Sequence, residues 1–216
     1  MTETPLQARP RAVIFDFGGV LTTSVLEAFG DFGERVCGDR GLPMRLFGTD
    51  AVTKRLLAEH EEGRLDQRGF EEGFAARLRE HGVEIGADGL LVELQRGTVR
   101  DEASVALVAQ LRAAGVPVGL ISNSLGNCYD GWDLPSMFDA IAISGQEGVR
   151  KPSRRLYEIG CARLGVPPNE VIMIDDLPHN IVAAERLGMT GIVHRTARET
   201  AQALEPLLGI TLEAAN

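Results

Sequence analysis

The 216 residues, 44% hydrophobic and 25% charged, are those of a soluble globular protein, long enough for one large domain or a domain carrying an insertion. A net charge of −9 argues against a nucleic-acid backbone or an anionic membrane as partner, though not against an anionic substrate held by local positive charge. Cys37, Cys128 and Cys161 are too widely spaced for a disulfide framework or a zinc site and read as reduced thiols; with no apolar leader in MTETPLQARPR, the expected compartment is the cytoplasm.

The first apolar run, Ala12–Phe15, ends in Asp16 and a glycine turn, and is short enough to be a strand buried on both faces. From Thr22 to about Thr98 no strand pattern appears. Amphipathic helices are expected at roughly 23–37, 50–62, 67–81 and 87–97, which reads as a helical insertion after the first strand. Beyond it, helices are expected at about 101–114, 153–165, 178–188 and 197–208. They alternate with strands at Val116–Ile121, Ala140–Ile143, Val171–Ile174 and Gly191–Val193. That alternation implies an α/β fold with a doubly wound parallel sheet. The tail after Gly209 is expected to be loose.

Ligands of open parallel sheets bind outside the carboxyl ends of the strands. Asp16, Ser122 with Asn123, and Asp175 with Asp176 follow three of the strands, and Lys151 lies in the loop after a fourth. Singly, each has a plainer reading as a turn former, a helix cap or a solvated charge. Lys151 gains weight because only it and Lys54 are lysines among 22 basic residues. Three carboxylates at one sheet mouth would repel one another unless a cation sits among them, and oxygen ligands with open positions suit Mg²⁺. Ser122, Asn123 and Lys151 would then bind phosphate oxygens, and the set as a whole describes phosphoryl transfer onto an aspartate.

The stretches VIFDFGGVL, LISNS, RKP and IMIDDLPHNIVAAERLGM, in this order, resemble the four motifs of the haloacid dehalogenase superfamily. The resemblance implies a Rossmann-like core from residues 1–21 and 99–216, with 22–98 as a helical cap of the C1 type. HEEGRLDQRGFEEGF is similar to a cap segment of its phosphatase branch. It implies a Mg²⁺-dependent phosphatase of a small phosphorylated metabolite, monomeric or homodimeric. Asp16 would be nucleophile and metal ligand, Gly18 would lend a backbone carbonyl to the metal, and Asp176 would be the direct carboxylate ligand with Asp175 behind it. Ser122, Asn123 and Lys151 would hold the phosphoryl group. Phosphatases of the family usually carry an aspartate general acid where this chain has Gly18. Two other readings stand beside the phosphatase: a metal-free 2-haloacid dehalogenase, and a phosphate-binding regulatory module with little turnover. His60, Glu61, Arg64, Tyr129 and Trp132 are candidates for substrate choice; surface charges and packed aromatics are the simpler reading of them. His179 reads as a helix-start residue.

Overall fold

The computed structural model describes residues 10–126 and 128–213; most of the N-terminal stretch read above as leaderless lies outside them. Strand β1 (Ala12–Phe15) is buried throughout. Its alternate residues serve opposite faces: Val13 and Phe15 join one apolar cluster, Ala12 and Ile14 another. A strand with two apolar faces needs cover on both sides, which explains its unbroken hydrophobic run.

The chain then passes through α1 (Val25–Cys37), α2 (Leu42–Thr49), α3 (Ala51–Glu61), α4 (Gln67–Glu80) and α5 (Leu90–Leu94). It continues through α6 (Glu102–Ala113), β2 (Val118–Ser122), α7 (Leu134–Met137), β3 (Ala140–Ile143), α8 (Ser144–Glu147) and α9 (Arg154–Leu164). The last elements are β4 (Val171–Asp175), α10 (Pro178–Glu185), β5 (Thr190–Val193) and α11 (Ala197–Leu208). All strands pair in parallel in the order β3-β2-β1-β4-β5. Helices α6 and α11 cover one face through Leu107, Leu111, Ala201 and Leu204, and α9 with α10 covers the other through Leu156, Tyr157, Ile181 and Ala184. The chain leaves β1 toward β2 on one side and returns to β4 on the other. The topological switch therefore falls at the carboxyl end of β1.

Helices α1–α5 build a third apolar cluster of their own from Phe32, Phe70, Phe74, Leu78 and Leu94, joined by Leu125 from the loop after β2. The two chain crossings into and out of this segment run side by side. Thr22 bridges Arg100, Thr23 N–H donates to the Val99 carbonyl (2.8 Å), and Asp101 N–H donates to that of Leu21 (2.9 Å).

Several expectations need correction. The expected helices leave 38–49 without an element, yet α2 fills most of that interval, with Pro43 in its first helical turn, where the missing N–H costs nothing. The helix expected at 87–97 contracts to Leu90–Leu94, preceded by Gly89 at φ +73°. Of the tail expected to be loose, the described residues 210–213 are held in place: Leu212 is buried against the first cluster, and Gln110 and Glu213 exchange two hydrogen bonds.

Candidate active site

Asp16 extends the β1 ladder by one residue, its N–H donating to the Ile174 carbonyl on β4 (2.8 Å). Its Oδ1 accepts from Phe17 N–H (2.6 Å) and lies 2.6 Å from Lys151 Nζ. Lys151 is 1% exposed, and its ammonium also donates to Asp175 Oδ2 at 2.7 Å. Burial alone would discharge this lysine, but the charges of Asp16 and Asp175 outweigh it and hold the pKa above the ordinary lysine value.

Asp175, at the end of β4, is fully buried and saturated. Oδ1 accepts from Leu177 N–H (2.9 Å) and the Asn180 amide (3.0 Å); Oδ2 accepts from that amide and from Lys151. Asp176 is half-buried, and no side chain among the described residues hydrogen-bonds its carboxylate. Asp16, Asp175 and Asp176 each offer an oxygen within 4.8 Å of the others. Burial, then the Asp175 charge, pushes Asp16 well above the usual carboxylate range and Asp176 up to about 6.

Three buried or half-buried carboxylates against one ammonium leave an excess of negative charge in a low-dielectric place. An all-oxygen donor set with two carboxylates not yet saturated fits a hard divalent cation such as Mg²⁺. Asp16 and Asp176 are the residues able to hold it, while Asp175 serves Lys151 and Asn180. The β1 loop presses close here: at Gly19 (φ +75°) a Cβ would lie 2.3 Å from Asp176 Oδ2, so a larger residue would strain the backbone and push that carboxylate aside.

Asp16, Gly18, Asn123, Lys151 and Asp176 share the floor of a cavity of about 420 Å³ beneath α1–α3. Ser122 lies behind it, buried, its Oγ accepting from Tyr129 O–H (2.8 Å). Burial, the largest influence, raises the Tyr129 pKa well above its ordinary value and so keeps the phenol a donor. Tyr129 and Trp132 both pack edge-on against Phe17, with ring centroids 4.8 Å away, bracing the turn after Asp16. The Asn123 amide clamps the backbone of Lys151: its Oδ1 accepts from Lys151 N–H (2.7 Å), and its Nδ2 donates to the Lys151 carbonyl (3.2 Å). Lys54, the other lysine, is exposed on α3.

His60 and Glu61 are buried, contrary to the surface reading; Arg64 is exposed and pairs with Glu62. His60 donates from Nδ1 to the Leu65 carbonyl (3.0 Å) and accepts at Nε2 from Gly126 N–H (3.1 Å), a tautomer assigned from those partners. Glu61 Oε2 lies 2.6 Å from Arg150 Nε, an ion contact without hydrogen-bond alignment. The Glu61 carbonyl accepts from Ser124 Oγ (3.2 Å) and from Ser144 Oγ. Burial pushes its carboxyl up to about 7 against the pull of Arg150. Arg150 and Asn180 were missed as site residues, although both lie within quoted motifs. His179 is exposed at the start of α10 and lines the cavity.

A family model described as haloacid dehalogenase-like hydrolase matches residues 10–188. The sesquiterpene phosphatase AstK of Aspergillus oryzae is 27% identical over 92% of this chain and 97% of its own. A phosphoserine phosphatase of Thermus thermophilus is 30% identical over 47% of this chain and 42% of its own. Mouse acyl-CoA dehydrogenase family member 10 is 27% identical over 94% of this chain, which spans only 19% of that protein. In fold, the chain is similar to a predicted HAD-like hydrolase of Porphyromonas gingivalis (TM-score 0.67, 24% identity, covering 93% and 98% of the two chains). It is also similar to a HAD family enzyme of Bacteroides thetaiotaomicron solved with magnesium and inorganic phosphate (TM-score 0.64, 18% identity, 86% and 94%).

Proposed function

The chain belongs to the haloacid dehalogenase-like hydrolases, and we propose that within this family it is a Mg²⁺-dependent phosphatase of a small phosphorylated metabolite. The observation that carries the reading is the shared ammonium: Lys151 Nζ touches both Asp16 (2.6 Å) and Asp175 (2.7 Å), while Asp176 beside them keeps an unsaturated carboxylate. The phosphatase relatives support it. The fold likeness to an enzyme holding magnesium and phosphate is consistent with it.

In this reading residues 1–21 and 99–216 form the catalytic core, and 22–98 form a cap over it. The adjacent chain crossings at Thr22 and Arg100 and the separate apolar cluster of α1–α5 support that division. Lys151, 2.6 Å from Asp16, opposes the burial that favours its protonated form, and bound Mg²⁺ would add to that pull, favouring the carboxylate that attacks phosphorus. A P–O bond to Asp16 forms as the ester P–O bond breaks, and the leaving group departs as its oxyanion and takes a proton from water. Water then attacks the phosphoryl-aspartate, releasing inorganic phosphate and restoring the carboxylate. Bound Mg²⁺ would supply charge neutralisation for the phosphoryl oxygens from its place on Asp16, Asp176 and the Gly18 carbonyl. Lys151 faces the phosphate and Asn123 lines the pocket while fixing the backbone of Lys151; Ser122, expected to touch the phosphoryl group, instead lies buried behind the cavity and takes the Tyr129 hydroxyl.

No acid stands at position 18, so the leaving group must depart with little help. A 2-haloacid dehalogenase would share the Asp16 nucleophile but leave Asp176 without a task. A screen of metabolite phosphates with Mg²⁺ and with EDTA tests the reading. Phosphate release that disappears in EDTA is expected; full activity in EDTA would overturn the metal-dependent mechanism.

A further inference from the structure

The roof of the cavity differs in chemistry from its floor. Above the carboxylates and Lys151 it is walled by Leu26, Phe29, Met44, Phe47, Leu57 and Val99, from α1, α2, α3 and the segment leading to α6. Three of these are among the large apolar side chains left open to solvent: Leu26 at 40%, Met44 at 37% and Val99 at 57%. Apolar residues exposed together around the mouth of a cavity mark a surface that something apolar covers.

Most polar side chains of the upper wall are already engaged, Thr98 being the exception, with a buried hydroxyl that has no hydrogen-bond partner. Glu61 faces Arg150 (2.6 Å), Gln95 donates to the Leu125 carbonyl (2.9 Å), and the Arg100 guanidinium lies over the Trp132 ring at 4.1 Å. A sugar or amino-acid body bearing several hydroxyls or charges would lose water there and find few partners, which is costly. Asp130 and His179 remain, but both belong to the core side of the cavity.

We infer that the substrate is a phosphate monoester with an apolar body, an alkyl or aryl group that leaves water against the roof while its phosphate meets Asp16 and Lys151. This rests on the phosphatase reading for its turnover but not for its binding. A chain that fills the roof should gain up to about fourfold in affinity for each methylene removed from water.

Two measurements keep the two readings apart. Hydrolysis of phenyl phosphate and a series of para-alkylphenyl phosphates with Mg²⁺ holds the leaving group nearly constant while the tail grows. Calorimetric binding of non-hydrolysable alkylphosphonates in Mg²⁺ asks the same question without chemistry. We expect kcat/KM to rise and Kd to fall with tail length until the roof is full, and the replacement of rim residues by Leu26→Asp or Met44→Lys to flatten both trends. Tail-independent kcat/KM and Kd would overturn the apolar body while leaving the phosphatase reading intact. Tail-dependent phosphonate binding with no hydrolysis of any aryl phosphate would instead uphold the inference and reject the phosphatase.

Discussion

Gly18 abuts Val25, and that contact decides how a missing proton donor could be restored. A Cβ at position 18 would lie 2.9 Å from Val25 Cγ2, so the first residue of α1 occupies the space an acid would need. With no donor there, hydrolysis should fall steeply as the leaving-group pKa rises, by about 10²–10⁴-fold between aryl and simple alkyl phosphates. Gly18→Asp alone should destabilise the fold by about 1–3 kcal/mol through overpacking, read from urea midpoints. Combined with Val25→Ala it should fit, and flatten the leaving-group dependence. A wild type that shows no such dependence, with chemistry rate-limiting, would mean that another group gives the proton. Glu61 carries a separate expectation. Its carboxyl rises from the ordinary 4.5 to about 7 in the fold, so the folded state binds that proton more tightly than the unfolded chain does. Glu61 should therefore contribute a decline in stability as pH rises from about 4.5 to 7, of at most ~3 kcal/mol, and Glu61→Gln should lose that share while Asp16 and Asp176 keep theirs. Parallel urea curves for the two proteins at pH 5 and pH 8 would contradict it.

At the scale of elements, the end of α3 is pinned to α8 through the main chain. Gly63, at φ +70°, sits so close to α8 that a Cβ would lie 2.4 Å from the Gly145 carbonyl oxygen. Gly63→Ala should lift this end, costing about 1–3 kcal/mol in stability and lowering kcat/KM as Glu61 and Arg150 move. Unchanged values for both would show that the contact is idle. The strands could be read from sequence because burial on both faces leaves continuous apolar runs with turn residues at their ends. β2 begins at Val118 and not Val116, since Pro117 has no N–H for the ladder. Helix α2 was hidden by its own start signal, Gly41 and Pro43, and the four-residue helices α7 and α8 are too short to show a period.

For the whole molecule, strand order puts Asp16 between β2 and β4, so that Asn123, Asp175 and Asp176 converge on it from both sides. Their placement at carboxyl ends could be read from the sequence; their division of labour could not. The commitment of Asn123 to the Lys151 backbone, of Asn180 to Asp175, and of Glu61 to the face of the core depends on partners 5 to 83 residues distant. The division predicts different failures. Asp175→Ala should cost about 1–3 kcal/mol, because the buried Asn180 amide loses its acceptor and Lys151 keeps Asp16 alone. Asp176→Ala should fold normally yet lose the rise in melting temperature that Mg²⁺ gives the wild type. The central claim is that Asp16 carries the phosphoryl group. Acid quenching during turnover of an aryl phosphate, followed by borohydride reduction and peptide mass spectrometry, reads this directly. Reduction of a phosphoryl-aspartate should convert residue 16, and no other aspartate, to homoserine, with no conversion in Asp16→Asn, which should also be inactive. Turnover that persists in Asp16→Asn, or conversion at another carboxylate in the wild type, would contradict the account.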